Sequence, residues 1–145
     1  MPQFHQQTKH SYRSIRKNAF FLDWRTQPSH FKRYPHFQQR FTIEDYEVLK
    51  ELNLIGGITF EKEYPEGTYY LRTVPSAGAL FPCEIYLQIR GVKGFLSGIY
   101  HYEPRKAVLT LLHEIERDGL EYYFKNQHKQ NGFIFLISTV YFRSS

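Results

Sequence analysis

The amino-acid sequence predicts an α+β fold, and three observations support this class. Apolar patterns follow one another in the order helix, helix, four strands, helix, strand, and strands adjacent in sequence favour antiparallel hairpins. The chain has 145 residues, a length typical of one domain, and 41% of them are hydrophobic, which is enough to build a core. The last apolar stretch is apolar on both faces, as expected of a strand at the centre of a sheet.

The first predicted element is a helix over residues 8–18, followed by a long arm. Thr8 can cap this helix, and apolar side chains recur behind it at helical spacing. Residues 22–40 contain two prolines and mix aromatic with basic side chains without a steady period, which predicts an extended arm. We therefore divide the chain into a basic, aromatic N-terminal helix and arm at residues 1–40 and a domain at residues 41–145.

The second helix is predicted from an apolar stripe that runs at helical spacing from Ile43 to Leu52. Thr42 and Asp45 resemble a capping box in front of it. The glycine pair at residues 56–57 is expected to end it.

Four strands are predicted next, in the stretches TYYLR, CEIYLQIR, SGIYHYE and AVLTLL. The second alternates, with Ile85, Leu87 and Ile89 on one face and a tyrosine and a glutamine on the other, which is typical of a half-buried strand. Pro104 stands at the second position of a turn between the third and fourth stretches. These two strands are therefore expected to form a hairpin.

The final two predicted elements are a helix in EIERDGLEYYFKNQ and a central strand in GFIFLISTVYF. The helix would be amphipathic through Ile115, Leu120 and either Tyr123 or Phe124. A central strand needs neighbours at both edges and cover on both faces, and the predicted helices do not suffice. Either a second copy of the chain supplies the missing layer, or the chain is part of a longer domain.

Composition narrows the possible function classes. The net charge of +5 and the pI of about 9.3 permit binding to the phosphates of a nucleic acid or of a small cofactor, without choosing between them. Cys83 is the only cysteine, so an internal disulfide and a thiolate metal site are excluded. We expect Cys83 to be a small buried residue and His101 to be packed and hydrogen-bonded. The other histidines lack ligand spacing, and no metal site is predicted.

Localisation is predicted from what the sequence lacks. No apolar run approaches the roughly 18 residues of a membrane span, and the N-terminal residues have no apolar region of a secretory signal. A single cysteine fits a reducing compartment. These features predict a soluble cytoplasmic protein without a membrane partner.

The stretch RTVPSAGALFP, residues 72–82, is unusually small for an aromatic-rich chain. Pro75 favours an extended residue before it, and Ser76 is suited to cap a helical turn over residues 77–80. Free backbone N–H groups without protruding side chains could contact a flat ring with hydrogen-bonding edges, or an anion. A tight turn that packs a helix against a sheet would explain the same composition.

The stretch RTVPSAGALFPCEIYLQI, followed by GVKGFLSGIYHYEP and AVLTLL, resembles the signature of the nitroreductase-like flavoproteins. It is most similar to the SagB-type (thiazoline/oxazoline) dehydrogenase branch, whose members carry R-x-x-P-S-A-G-A-L-[YF]-P and then G-[LI]-Y-H-Y-[DE]-P. The arm also looks like that of one subgroup. By this resemblance, residues 41–145 correspond to the N-terminal half of a nitroreductase-like domain, incomplete at its C-terminus.

The resemblance implies a sheet flanked by helices in an intertwined homodimer, with two FMN molecules at the dimer interface. FMN would accept a hydride from NAD(P)H or directly from a small-molecule substrate. Arg72 would hydrogen-bond the flavin or orient the loop. The residues near the isoalloxazine ring would be Pro75, Ser76, Ala77, Gly78 and Ala79.

Two departures from the family pattern leave the activity open. The family's R-R-S-x-R phosphate motif is missing; Lys32 and Arg33 are the best substitutes, with a solvated basic loop as the alternative. The family's Lys-Tyr pair for proton abstraction would follow the last strand, so no catalytic residue is assigned and whether the chain is an enzyme stays open.

Two other functions compete with a flavin oxidoreductase. The first is a truncated or degenerate half-domain without activity of its own, which dimerises or complements a separate chain carrying the C-terminal half. The second is a nucleic-acid-binding module, since aromatic and basic residues alternate in the arm. The absence of RNP, KH and helix-turn-helix patterns disfavours nucleic acid.

Overall fold

The computed structural model describes residues 29–65, 67–76, 79–126, 128–140 and 143. The strands are β1 Gln39–Thr42, β2 Ile58–Tyr64, β3 Gly67–Arg72, β4 Cys83–Arg90, β5 Gly98–Glu103, β6 Val108–Glu114 and β7 Gly132–Thr139. The helix α1 spans Glu47–Gly56, and short 3-10 turns span Ile43–Asp45 and Leu120–Tyr123. The predicted helix at residues 8–18 lies outside the described part of the chain.

Five strands form one antiparallel sheet in the order β1-β6-β5-β4-β7, and β2 pairs with β3 in a separate hairpin. The predicted β5–β6 hairpin is confirmed, and the amide of Lys106 donates to the carbonyl of Glu103 across its turn at 3.3 Å. Antiparallel sheets with a few helical segments confirm the predicted α+β class in its coarse form. Among the described residues, no helix is long and apolar enough to cross a membrane.

The main core lies between one face of the five-stranded sheet and α1. Leu87 and Ile89 of β4 and Tyr100 of β5 are almost completely buried on this face. Leu49 and Leu52 of α1 belong to the same cluster. Burying an apolar side chain of this size contributes roughly 1.5–3 kcal/mol relative to leaving it exposed, so this layer holds α1 on the sheet.

The opposite face of β4 is also buried, which makes the half-buried prediction for this strand wrong. Glu84, Tyr86 and Gln88 lie on this second face and are all buried. Hydrogen bonds compensate the burial of their polar atoms, since residues 29–34 and the turn Leu120–Tyr123 supply partners. Both faces of β4 are therefore buried. One face carries its apolar residues and the other its polar residues.

The second helix begins later than predicted. Residues 39–42 pair with β6 as strand β1, and the N-cap of α1 is Tyr46, without a side-chain capping bond. The capping box of Thr42 and Asp45 is therefore wrong, because Thr42 ends β1 without a side-chain capping bond and Asp45 lies in the 3-10 turn before α1. The predicted end is confirmed, since Gly57 is the C-cap and its amide donates to the carbonyl of Asn53.

The predicted helix after β6 is wrong. Glu114 still belongs to β6, and only a 3-10 turn forms at Leu120–Tyr123. Glu121 is buried there, whereas Tyr123 is 81% exposed, the reverse of the predicted amphipathic face. A tertiary contact buries Glu121, because its carboxylate accepts a 2.7 Å hydrogen bond from Gln88 of β4.

The last strand, β7, is at the edge of the sheet and not at its centre. It pairs with β4 alone among the described strands, and the exposed fractions of Phe135, Leu136 and Ile137 are 49%, 41% and 61%. The prediction of a strand buried on both faces is therefore wrong for this structure.

The strands β1 and β2 were not predicted. The four residues of β1 are too few, and β2 is too polar, to show an apolar pattern.

Candidate functional site

The small-residue motif forms the loop between β3 and β4, and Ser76 holds its described part in a tight turn. The carbonyl of Ser76 accepts a hydrogen bond from the amide of Ala79 at 3.1 Å. Its hydroxyl accepts another from the amide of Phe81 at 3.0 Å. Residues 77 and 78 lie outside the described residues, so the predicted roles of Ala77 and Gly78 stay predictions.

The loop returns to β4 through two residues in the left-handed region. Ala79 has φ 54° and Phe81 has φ 46°, conformations that cost on the order of 1–3 kcal/mol each for residues other than glycine. Both side chains are buried in a small cluster with Phe31 of the arm and Tyr70 of β3. Packing in this cluster offsets the strain and fixes the shape of the loop.

Arg72 ends β3 beside this cluster. Its guanidinium lies 5.4 Å from the ring centroid of Phe31 and 5.3 Å from that of Phe81, so it sits against two aromatic rings. One terminal nitrogen donates to the carbonyl of Cys83 at 3.4 Å. Burial lowers the pKa of Arg72, opposed by the charge of Glu84.

Two buried polar atoms beside the loop lack a partner. They are Nε of Arg72 and Oγ1 of Thr73, the buried side-chain nitrogen and oxygen atoms without a hydrogen bond among the residues that the structure describes. Leaving such an atom unpaired costs about 1–3 kcal/mol. Unpaired atoms on two consecutive residues next to a loop of small residues are groups that a ligand with hydrogen-bonding atoms could satisfy.

The carboxylate of Glu84 is the hub of the polar face behind the loop. It accepts from Nε2 of His101 at 2.9 Å, from the amide of Lys32 at 3.2 Å, and from the guanidinium of Arg143. Arg143 also donates to the carbonyl of Phe81 at 3.2 Å. Burial alone would raise the pKa of Glu84, but the hydrogen bonds from His101 and Arg143 outweigh it and lower the pKa.

Lys32 lies over two tyrosines on the outer side of this hub. Its ammonium donates to the hydroxyl of Tyr86 at 3.0 Å, and the hydroxyls of Tyr34 and Tyr86 are 2.7 Å apart. Hydrogen bonds with Tyr34 and Tyr86 raise the pKa of Lys32, so the ammonium stays charged. Arg33 is exposed and makes no hydrogen bond or ion pair with the described part of the chain.

The structure brings most of the predicted residues into one region. Arg72, Pro75, Ser76 and Ala79 share one loop, and Lys32 reaches it through Glu84. Arg33 is exposed and has no contact with this network of described residues.

Sequence reasoning did not find Glu84, Tyr86 and Arg143. The alternation of β4 gave a signal, since it placed Glu84 and Tyr86 on one face, but no local pattern announces Arg143. His101 is confirmed as a packed, hydrogen-bonded histidine. The prediction of a buried Cys83 is wrong, because this residue is exposed at the start of β4.

No protein-family model matches this sequence. A curated protein of Methanocaldococcus jannaschii, named as a putative nitroreductase, is 41% identical over 72 residues. The match covers 46% of this chain and 33% of that protein.

A solved structure is also similar to this chain. The crystal structure of a putative nitroreductase from Anabaena variabilis superimposes with a TM-score of 0.74 at 25% sequence identity. The match covers 99% of this chain and 32% of that chain. This chain therefore spans about a third of the length of both proteins, and the two matches together support a resemblance to the nitroreductase-like family.

Proposed function

We propose that this chain serves a two-electron, FMN-dependent oxidoreductase of the SagB-type branch of the nitroreductase family. The enzyme would be a cytoplasmic homodimer with the flavin at the dimer interface, a small-molecule substrate, and NAD(P)H as one candidate electron donor. The observation that carries the proposal is the pair of buried, unpaired polar atoms on Arg72 and Thr73 beside the small-residue loop.

The residues of the loop fit a flavin ring. Nε of Arg72 can only donate, while the hydroxyl of Thr73 can donate or accept. An isoalloxazine ring presents carbonyl oxygens, ring nitrogens and an N–H along one edge, so it can match both atoms. Ala77, Gly78 and Ala79 would leave the backbone open to its flat face.

The chain's own contribution would be binding, orientation and charge. FMN supplies hydride chemistry when bound. Arg72 is held by Phe31 and Phe81, so its positive charge is fixed beside the loop without reorganisation. A fixed positive charge favours a ligand that gains negative charge. Lys32 would bind the FMN phosphate, whereas the predicted second cation, Arg33, is exposed and has no contact with the Lys32–Glu84 network.

A half-domain without activity of its own is the second candidate. Phe135 and Ile137 are exposed on β7, at an edge of the sheet where no other described strand pairs. The chain also spans about a third of the length of its relatives. In this candidate the chain dimerises, or completes its flavin site with a separate chain.

Flavin titration tests the proposal and separates the two candidates. Purified protein should quench FMN fluorescence on binding, and Gly78→Val should abolish the quenching because a side chain there would meet the ring. Arg72→Met should weaken binding by about tenfold or more, whereas the exposed Arg105→Met is the matched control and should not.

The contrary results are equally clear. Wild-type protein that is colourless and never quenches FMN would sink the flavin proposal for this chain and leave the half-domain candidate. Wild-type affinity in Gly78→Val would instead show that the backbone of the loop does not touch the ring.

A further inference from the structure

Lys32, Tyr34 and Tyr86 form a compact polar group, here called the Lys–Tyr cluster, on the outer side of Glu84. The Lys32 ammonium is 5.1 Å from the ring centroid of Tyr34 and 5.6 Å from that of Tyr86. Lys32 is exposed and Tyr34 is half-buried. The cluster therefore faces solvent and is accessible to a small molecule.

The cluster has more hydrogen-bond donors than acceptors to receive them. An ammonium carries three donors and each tyrosine hydroxyl carries one. Lys32 engages the two tyrosines, and these share a single bond of 2.7 Å. At least one N–H of Lys32 and one tyrosine O–H therefore stay available, which calls for a ligand that accepts hydrogen bonds.

The surrounding charges select an anion. Among the residues that the structure describes, Glu84 is the carboxylate in contact with this group, and it is committed to His101, Arg143 and the amide of Lys32. Lys32 and Arg143 outweigh its single negative charge. A ligand that brings its own negative charge would meet a positive field from Lys32 and charge-assisted hydrogen bonds.

The cluster is also held in place before any ligand arrives. The Tyr86 side chain is buried on β4, and the ring of His101 lies 5.0 Å from the rings of both tyrosines. The amide of Lys32 is fixed to Glu84. Donors that do not need ordering on binding lose less entropy, so they bind more tightly.

We propose that Lys32, Tyr34 and Tyr86 form a binding subsite for a small oxyanion, either a phosphate monoester or a carboxylate. If the phosphate belongs to FMN, the subsite deepens the function proposed above and rests on it. If a carboxylate of the substrate binds, the subsite sets substrate preference. Arg33, the exposed neighbour, takes no part.

Two anions without a flavin test the subsite first. The ring signals of Tyr34 and Tyr86 are followed by NMR while inorganic phosphate or acetate is added at constant ionic strength. We expect saturable shifts with at least one anion, about tenfold weaker binding in Lys32→Met, and a loss of about fivefold in Tyr86→Phe. Arg33→Met removes the same charge and should bind within about twofold of wild type.

Two results would overturn the subsite: no saturable shift with either anion, or equal losses in Lys32→Met and Arg33→Met. The second result would mean that net charge alone attracts the anion. Tyr86→Phe keeps the ring packing on Tyr34 and His101. The anion affinity of this variant therefore tests the subsite if Lys32→Met fails to fold.

Flavins then identify the source of the oxyanion. A loss of affinity for FMN but not for riboflavin in Lys32→Met assigns the subsite to the flavin phosphate. Equal FMN affinity in wild type and variant, with acetate bound, assigns it to a substrate carboxylate. Anion binding without any flavin binding would contradict the flavin proposal and leave the subsite intact.

Discussion

Glu84 joins three parts of the chain that are distant in sequence. Its carboxylate bonds the arm through Lys32, the strand β5 through His101, and the region after β7 through Arg143. Its side chain is 1% exposed, so solvent cannot replace a lost partner. Glu84 therefore helps to hold the arm beside the loop, together with the packing of Phe31 in the small cluster.

We predict that Glu84→Gln lowers the free energy of unfolding by about 3 kcal/mol, because it leaves the buried Arg143 without its counter-charge. Urea denaturation followed by circular dichroism measures the change. The matched control is Glu61→Gln on β2, where the side chain is exposed and the loss should stay below about 0.5 kcal/mol. Similar losses in both variants would contradict the role given to Glu84.

At the scale of elements, β7 is the least protected part of the sheet. Its outer edge has no neighbour among the described strands, and Phe135 and Ile137 are exposed on the face that also carries the core residues of β4. Free edges with apolar side chains are sites of strand addition and association. We infer that β7 is covered in the working protein.

We expect the wild-type chain to associate as its concentration rises, and Ile137→Lys to reduce this association, because a charge beside the free edge opposes pairing. Sedimentation velocity over a range of concentrations measures it. Leu54→Lys on α1 is the control, since Leu54 is 70% exposed and lies on a helix. An equal effect of both substitutions would mean that β7 is not the contact.

Elements differ in how well sequence pattern predicts them. The stripe of α1 and the alternation of β4 were visible, because one side of each element packs against a single apolar layer. The turn at Leu120–Tyr123 was not, since the hydrogen bond between Glu121 and Gln88 joins residues far apart in sequence. A sequence pattern therefore predicts residues that are buried by apolar neighbours, but not residues that are buried by polar partners.

At the scale of the whole molecule, the five-stranded sheet separates an apolar layer from a polar one. The apolar layer packs α1 on the sheet. The polar layer contains three buried carboxylates: Glu84 and Glu121, whose pKa values are lowered, and Glu103. Burial opposes ionisation of Glu121, but hydrogen bonds from Gln88 and the backbone and the charge of Arg90 outweigh it and lower its pKa to about 2.

This polar layer predicts a loss of stability in acid. Both pKa values are lower in the folded chain than in the unfolded one, where a carboxyl of this type titrates near 4.5. The stabilisation is therefore present above about pH 5 and is lost as the pH falls from 4.5 towards 2. Thermal unfolding midpoints measured across this window should decrease steadily.

The same series with Glu121→Gln is the internal control. Its midpoint should be lower near neutral pH and should depend less on pH below 4.5, since one of the two titrating groups is gone. A wild-type midpoint that stays constant through this window, or an unchanged slope in the variant, would contradict the assignment.

The sequence by itself determined the local features: the α+β class, the β5–β6 hairpin, the end of α1 at its glycine pair, and the small-residue loop. Each of these follows from residues close together along the chain. It also carried the family resemblance, which the matches to nitroreductases support in its coarser form.

Only the tertiary structure decided where β7 lies, which carboxylates are buried, and how Lys32 meets Tyr34 and Tyr86. Sequence pattern does not show these features, because they depend on contacts between residues 50 or more positions apart. They also depend on polar groups that can be buried only where they have hydrogen-bond partners. The loop from Arg72 to Pro82 illustrates both contributions, that of the sequence and that of the tertiary structure. Its small residues are visible in the sequence, while the unpaired atoms beside it appear only when β3, β4 and the arm pack together.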